Sequence, residues 1–227
     1  MGDGFEELVS RMLEAVPAGR RALVAVDGSG ASGKTTLTAR LAARVRDRPV
    51  VVLHADDFFH PSAHRHARGR FSPEGFWRDA YDYASLVDLA LAPLHPDADG
   101  RYVPASFDRV ADRTVLAPAR QAADDALVLV DGTFLHRDEL RGRWDWSLYL
   151  HVPFDVAARR MVERDGVDPD PARGPLARYA GAQRLYLAAA EPWRRASLVV
   201  DTTAEPRIVD PAAARPERWD ATPARPS

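Results

Sequence analysis

Short apolar runs without alternation punctuate the chain: ALVAVDG at 22–28, VVVLH at 50–54, ALVLVDG at 126–132, SLYLHV at 147–152 and SLVVD at 197–201. Each reads as a strand buried on both faces, since a strand with one wet face would alternate apolar and polar residues. Between them, apolar positions recur at helical spacing. Residues 5–16 carry Phe5, Leu8, Met12 and Leu13, and residues 34–46 carry Leu37, Leu41 and Val45. Further helices are predicted at 154–166, closed by Gly166, and at 176–192. Buried strands alternating with helices predict an α/β fold with a doubly wound parallel sheet.

The alternation breaks between residues 60 and 125. This stretch holds a basic, histidine-bearing loop (HPSAHRHARGR), a predicted helix near 82–92 and a turn-rich piece read as a hairpin. It is an insertion at the carboxyl edge of the sheet, inside a single domain spanning 1–203. From about Ala204 to Ser227 the chain is rich in Pro, Ala and Arg and lacks periodic apolar positions. That predicts a poorly ordered tail, whose removal after Thr203 leaves the fold nearly unchanged.

Composition narrows the class. With 227 residues and 46% apolar side chains, the chain is long enough for a full core. A net charge of −2 offers no basic surface for nucleic acid or anionic membrane. The absence of cysteine removes disulfides, thiolate metal sites and thiol nucleophiles together. No apolar run reaches membrane-spanning length, and the acidic start MGDGFEELVSR is unlike a signal peptide. A cytoplasmic protein that uses neither membrane nor nucleic acid is expected; a homo-oligomer is left open.

Lys34 is the only lysine, in a chain that otherwise uses arginine. It lies in GSGASGKTT, residues 28–36, after a strand and at the start of a helix. Gly28, four residues, then Gly33-Lys34-Thr35 is the P-loop pattern. Its glycines let backbone N–H groups turn inward around phosphate oxygens, and the following helix adds its positive end. The segment Gly28, Ser29, Gly30, Ala31, Ser32, Gly33, Lys34, Thr35 and Thr36 is therefore the candidate ATP site. Lys34 reaches the outer phosphates as a slim point charge, a role the wide guanidinium fork of arginine fills poorly. Thr35 can offer its hydroxyl to Mg²⁺. Asp131 ends an apolar strand; if that strand lies beside the loop, the carboxylate faces the same metal.

The chain has no asparagine, so it lacks the guanine-reading motif of GTPases, and it has no signature of transporter ATPases. After the second strand comes HADDFFHP, at 54–61. In a doubly wound sheet this falls at the carboxyl edge, where substrates sit. One carboxylate, Asp56 or Asp57, can take the proton of an acceptor hydroxyl, and Phe59 can pack on a ring or sugar. Asp27, in the middle of a buried strand, has no account at this level.

GSGASGKTT, ADDFF, VDGTFL at 130–135, RRMVERDG at 159–166 and EPWRRASLVVD at 191–201 together resemble the uridine kinase, phosphoribulokinase and pantothenate kinase group, which includes nicotinamide riboside kinases. The resemblance covers about residues 20 to 201. It implies a P-loop fold with an inserted substrate lobe and a small lid, and an ATP- and Mg²⁺-dependent kinase acting on a hydroxyl, most simply of a nucleoside. It makes Asp56 the base, Arg164 the lid arginine that clamps phosphates, and Asp131 the acid near Mg²⁺. Asp57, Phe59, Phe107 and Arg178 become the substrate-side residues. Three positions depart from uridine kinases. Phe107 stands for a tyrosine, Asp112 falls where a base-reading histidine would, and Arg178 replaces a nucleoside-holding glutamine. The same chemistry on nicotinamide riboside, pantothenate or a sugar phosphate, or a non-catalytic nucleotide-binding regulator, are the alternatives.

Overall fold

A computed structural model describes residues 3–215 of the chain. Its centre is a six-stranded sheet. The strands are β1 (Ala22–Gly28), β2 (Val50–His54), β3 (Leu127–Gly132), β4 (Trp146–His151), β5 (Leu198–Asp201) and β6 (Arg207–Val209). In space they run β6-β5-β4-β1-β3-β2. All neighbours are parallel except β6, which pairs antiparallel with β5. The doubly wound α/β fold read from the apolar runs is the observed one.

The unalternating strands are buried on both sides. In β1, Leu23 and Ala25 join one core with Phe58, Phe76, Phe134 and Tyr186. Val24 and Val26 join the opposite core with Leu8 and Met12 of helix α1 (Asp3–Ala15) and Leu37 and Leu41 of α2 (Lys34–Arg44). A strand with apolar side chains on both faces is driven to the middle of such a sheet by hydrophobic burial. β2, at the edge, is correspondingly more exposed.

The insertion departs from its prediction in detail. Helix α3 (Pro73–Asp79) begins at Ser72, whose side chain accepts from the Gly75 N–H. The helix expected near 82–92 is one α-turn, Tyr83–Leu86, followed by a π-helical turn, Val87–Leu91. The expected hairpin is two separate antiparallel pairs, Arg101–Tyr102 with Arg120–Gln121 and Phe107–Asp108 with Arg113–Thr114. Helix α4 (Phe154–Asp165) stops at Gly166, whose φ of 62° is the left-handed conformation that glycine adopts without a Cβ clash; its N–H closes on Val162 O. Helix α5 (Gly174–Ala190) lies against α3, and Gly181 permits the approach, since a Cβ there would stand 2.6 Å from Pro73. Among the described residues no helix is long and apolar enough to cross a membrane.

The poorly ordered tail expected from Ala204 onward is corrected over its first part. Ile208 pairs with Val200 in the sheet, Val209 packs on the core and Ala214 is buried. Glu205 bridges to Arg40 at 3.2 Å, and the Pro206 carbonyl lies so close to Gly4 that a Cβ there would clash. A three-residue strand is too short for its periodicity to show in sequence. The rest of the expected tail, 216–227, with Trp219, lies outside the described residues.

Truncation after Thr203 is therefore expected to destabilise the protein. Losing β6 and the cover over β5 should cost on the order of 2 kcal/mol, or roughly 4–8 °C in Tm. Thermal unfolding of the truncated and full chains measures it; an unchanged Tm would show that this segment contributes nothing to the packing.

Candidate active site

The loop between β1 and α2 opens into a cleft of about 260 Å³ at the carboxyl edge of the sheet. Gly30, Ala31, Gly33, Lys34, Thr35 and Thr36 line it directly. Gly28, Ser29 and Ser32 lie beneath, buried, and shape the loop. A Cβ at Gly28 would fall 2.6 Å from Ser32 Oγ and 3.0 Å from Leu150, so only glycine fits. Gly33 has φ 87°, the left-handed turn that launches α2. Arg160 of α4 braces the loop from outside, donating to Ala31 O at 3.3 Å and Thr202 O at 2.8 Å.

Lys34 Nζ donates to Ser29 O at 2.7 Å across the loop. Burial pushes its pKa below the ordinary lysine value, while the carboxylates of Asp56, Asp27 and Asp131 act in the opposite sense. Thr35 and Asp131 meet because β3 lies beside β1 in parallel register, with Val26 opposite Asp131. Thr35 Oγ1 is 3.5 Å from Asp131 Oδ1. The other carboxylate oxygen is 2.8 Å from His54 Nδ1, whose pKa is raised chiefly by that bond. His54 was not singled out in the sequence; it sits opposite Asp131 only through the β2–β3 register.

The two acids of HADDFF separate. Asp56 lines the cleft, and its Oδ1 accepts from the Tyr81 hydroxyl at 2.8 Å. Burial, with Asp56 beside it, raises the Tyr81 pKa far above that of a free phenol, so the proton stays on tyrosine and the bond keeps its direction. Asp57 does not line the cleft; it pairs with Arg109 at 3.0 Å, and the same guanidinium lies 3.9 Å from Asp56 Oδ2. Nothing in the sequence near Tyr81 marks it as the partner of a residue 25 positions earlier.

Of the other substrate-side residues, Phe59 and Arg178 line the cleft with Arg65, Phe76, Thr133 and Tyr179. Phe107 does not. It is buried behind Phe59, ring centroids 6.3 Å apart, and Arg65 stacks over it at 5.4 Å. Of the residues read as substrate-side, Asp57 and Phe107 thus do not line this cleft. Asp112 accepts from the Ser62 N–H and binds Arg65 at 2.8 Å, again outside the cleft lining. Arg164, from the last turn of α4, reaches the cleft and is held by Asp165 through two 2.7 Å bonds. His60 and His64 stack on each other at 4.1 Å, and among the described residues no group of three or more His, Asp or Glu is arranged to hold a metal.

Asp27 now has a physical account. It is fully buried one residue before the loop. Its Oδ1 accepts from the Gly28 N–H at 2.7 Å; its Oδ2 accepts from the Tyr186 hydroxyl and lies 2.7 Å from His136 Nδ1. His136 Nε2 is in turn 2.9 Å from Ser147 Oγ on β4.

No family model matches the chain. A uridine kinase of Deinococcus deserti is 28% identical over 146 residues, covering 63% of this chain and 68% of that protein. Among solved structures, a candidate uridine kinase from Bacillus stearothermophilus superposes with a TM-score of 0.68 at 24% identity, over 86% of this chain and 96% of that one. A candidate fructose transport system kinase from Silicibacter sp. TM1040 gives 0.65 at 26% identity, over 82% and 95%. The fold is that of a P-loop kinase. The sequence relatives and the fold together support a uridine kinase-like family within that class.

Replacing Lys34 by arginine is expected to lower kcat/KM for nucleotide-dependent turnover on the order of 10²–10³-fold, because the wider head cannot enter the loop as a point donor. Steady-state kinetics beside a binding isotherm for ATP would test it, and near-normal turnover would remove Lys34 from the phosphate site.

Proposed function

We propose that the protein transfers the γ-phosphoryl group of ATP to a hydroxyl group of a small molecule. The observation that carries this reading is that Asp56, fixed by Tyr81, and Lys34, at the phosphate loop, line one cleft. Phosphoryl transfer passes through a loose transition state, so positioning and charge neutralisation matter more than covalent chemistry. Lys34 and the loop N–H groups hold the phosphates of the donor. Asp56 orients the acceptor hydroxyl and takes its proton. Arg164 neutralises charge on the transferring group as the α4–α5 segment closes, which requires it to leave Asp165 at least in part.

The oxygen donors of Thr35 and Asp131, 3.5 Å apart, fit Mg²⁺, which takes one or two protein oxygens and completes its shell with phosphate and water. Bound there, it would supply charge neutralisation for the phosphate oxygens. His54 holds the second Asp131 oxygen and so fixes the carboxylate in that orientation.

For the acceptor, the relative named as a uridine kinase favours a nucleoside, and the neighbour named as a candidate fructose transport system kinase favours a sugar. The aromatic wall of Phe59, Phe76 and Tyr179 suits either. A regulator that only binds nucleotide has no use for a braced carboxylate facing the loop.

The test is ADP release from Mg²⁺-ATP with uridine, cytidine, nicotinamide riboside, pantothenate, fructose and sugar phosphates as acceptors. At least one is expected to raise ADP release well above the rate with water alone. Tight nucleotide binding with no acceptor-dependent release would favour the regulator.

A further inference from the structure

We infer that Arg178 and Arg65 form a binding site for an anionic group, a phosphate or a carboxylate, carried by the acceptor, so that the molecule phosphorylated is itself an anion. The inference rests on the kinase reading above and narrows its substrate class.

The two arginines are unlike the surface arginines elsewhere in this arginine-rich chain. Arg178 comes from α5, which the close approach of Gly181 to Pro73 presses against the insertion. Its guanidinium lies 4.6 Å over the Phe76 ring and 5.9 Å from that of Tyr179. Its Nε and Nη2 are buried and find no hydrogen-bond partner among the described residues. Arg65 stacks over Phe59 at 5.2 Å; one of its nitrogens binds Asp112, and its Nε is buried without a partner. Both line the cleft that Asp56 faces.

Burial pushes the Arg178 pKa down, and the like charges of Arg65 and Arg70 push it the same way. Two cations are thus gathered in a partly dry place with donors left over. Buried polar groups are normally paired, and an unpaired guanidinium is costly unless a counter-charge completes it. Aromatic faces hold the guanidinium groups in place, and a planar fork of this kind matches carboxylate or phosphate with paired hydrogen bonds.

The donor phosphates do not account for this charge. Lys34 bonds within the phosphate loop, whereas Arg65 belongs to the insertion and stacks on Phe59, three residues after Asp56, and Arg178 stacks on Phe76 of α3. A neutral nucleoside would leave Arg178 without a counter-charge, since the nearby Asp112 pairs with Arg65. The Asp112 carboxylate, at the position of a base-reading histidine in uridine kinases, is occupied in holding Arg65.

The experiment has two arms, using the full chain and its Arg178→Gln and Arg178→Lys variants. In the first, a non-hydrolysable ATP analogue with Mg²⁺ fills the loop, and inorganic phosphate is titrated by calorimetry. Wild type is expected to bind phosphate, Arg178→Gln to bind it about 10–100-fold more weakly, and Arg178→Lys to recover part of the loss, with affinity for the analogue unchanged. In the second, ADP release is measured with matched pairs: glycerate and glycerol, ribose 5-phosphate and ribose, pantothenate and pantothenol, and uridine. An anionic member is expected to exceed its neutral partner in kcat/KM by at least about tenfold, and Arg178→Gln to erase the preference through KM. The pair that responds distinguishes carboxylate from phosphate. Equal phosphate binding by wild type and Arg178→Gln, or turnover of uridine or another neutral member as good as that of any anion, would overturn the inference. Arg178-dependent phosphate binding with no ADP release from any acceptor would uphold the anion site and count against the kinase reading.

Discussion

Asp27 is a carboxylate with no exposure to solvent, placed in the middle strand of the sheet immediately before the phosphate loop. Such a group is tolerated only when its lone pairs are used, because removing one partner of a buried ionic or charge-assisted cluster costs about 3–5 kcal/mol. Here Gly28, Tyr186 and His136 all serve it. Each comes from a different part of the chain. Gly28 opens the loop, Tyr186 belongs to α5, and His136 follows β3. His136 continues the chain of bonds to Ser147 on β4, while the Tyr186 hydroxyl also accepts the His136 N–H at 3.0 Å. One buried charge thereby ties the start of the phosphate loop to the helix that carries Arg178 and to the segment that follows Asp131. Burial and the adjacent carboxylate hold the Tyr186 pKa well above that of a free phenol, so the tyrosine stays a donor at any physiological pH.

The cleft inherits its geometry from that anchoring. β1 has β3 on one side and β4 on the other. The register of β3 brings Asp131 to Thr35, and the next strand out brings His54 to Asp131. Past the end of β2 a short 3-10 turn, Ala55–Phe58, sends Asp56 into the cleft and Asp57 toward Arg109. From the insertion, Phe76 and Tyr81 line the cleft and pack with Trp77 and with Phe134 and Tyr186 from outside it. Phe76, Trp77, Tyr81, Phe134 and Tyr186 meet edge-on or tilted at 5.0–6.4 Å. Such packing favours rigidity around the cleft.

The sheet was legible in sequence because strands buried on both faces leave unbroken apolar runs. The phosphate loop was legible because its signature is local: the glycines, the lysine and the threonines lie within nine positions, and the lone lysine singles it out. What escaped was long-range. Tyr81 braces Asp56 and His54 holds Asp131 only after the fold brings them together. Asp27 looked anomalous until its partners, far along the chain, were in place. The two acids at 56 and 57 are equivalent in a sequence and become distinct only when a tight turn aims them apart. The insertion resisted reading because its strands are two residues long and one of its helical turns is π, so no period develops. Ile208 and Val209 were set aside with a polar tail for the same reason.

The central claim is that Asp56, and not its neighbour, acts on the acceptor across from Lys34. The most direct measurement is kcat for Asp56→Asn and Asp57→Asn under saturating Mg²⁺-ATP and acceptor, with ATP affinity determined for each. Asparagine keeps the shape of either side chain and removes its ability to take a proton. The account predicts that Asp56→Asn loses on the order of 10²–10⁴ in kcat with ATP affinity retained, and that Asp57→Asn, which gives up only the pairing with Arg109, stays within about tenfold of wild type. A normal kcat in Asp56→Asn, or a dead enzyme in Asp57→Asn alone, would contradict it.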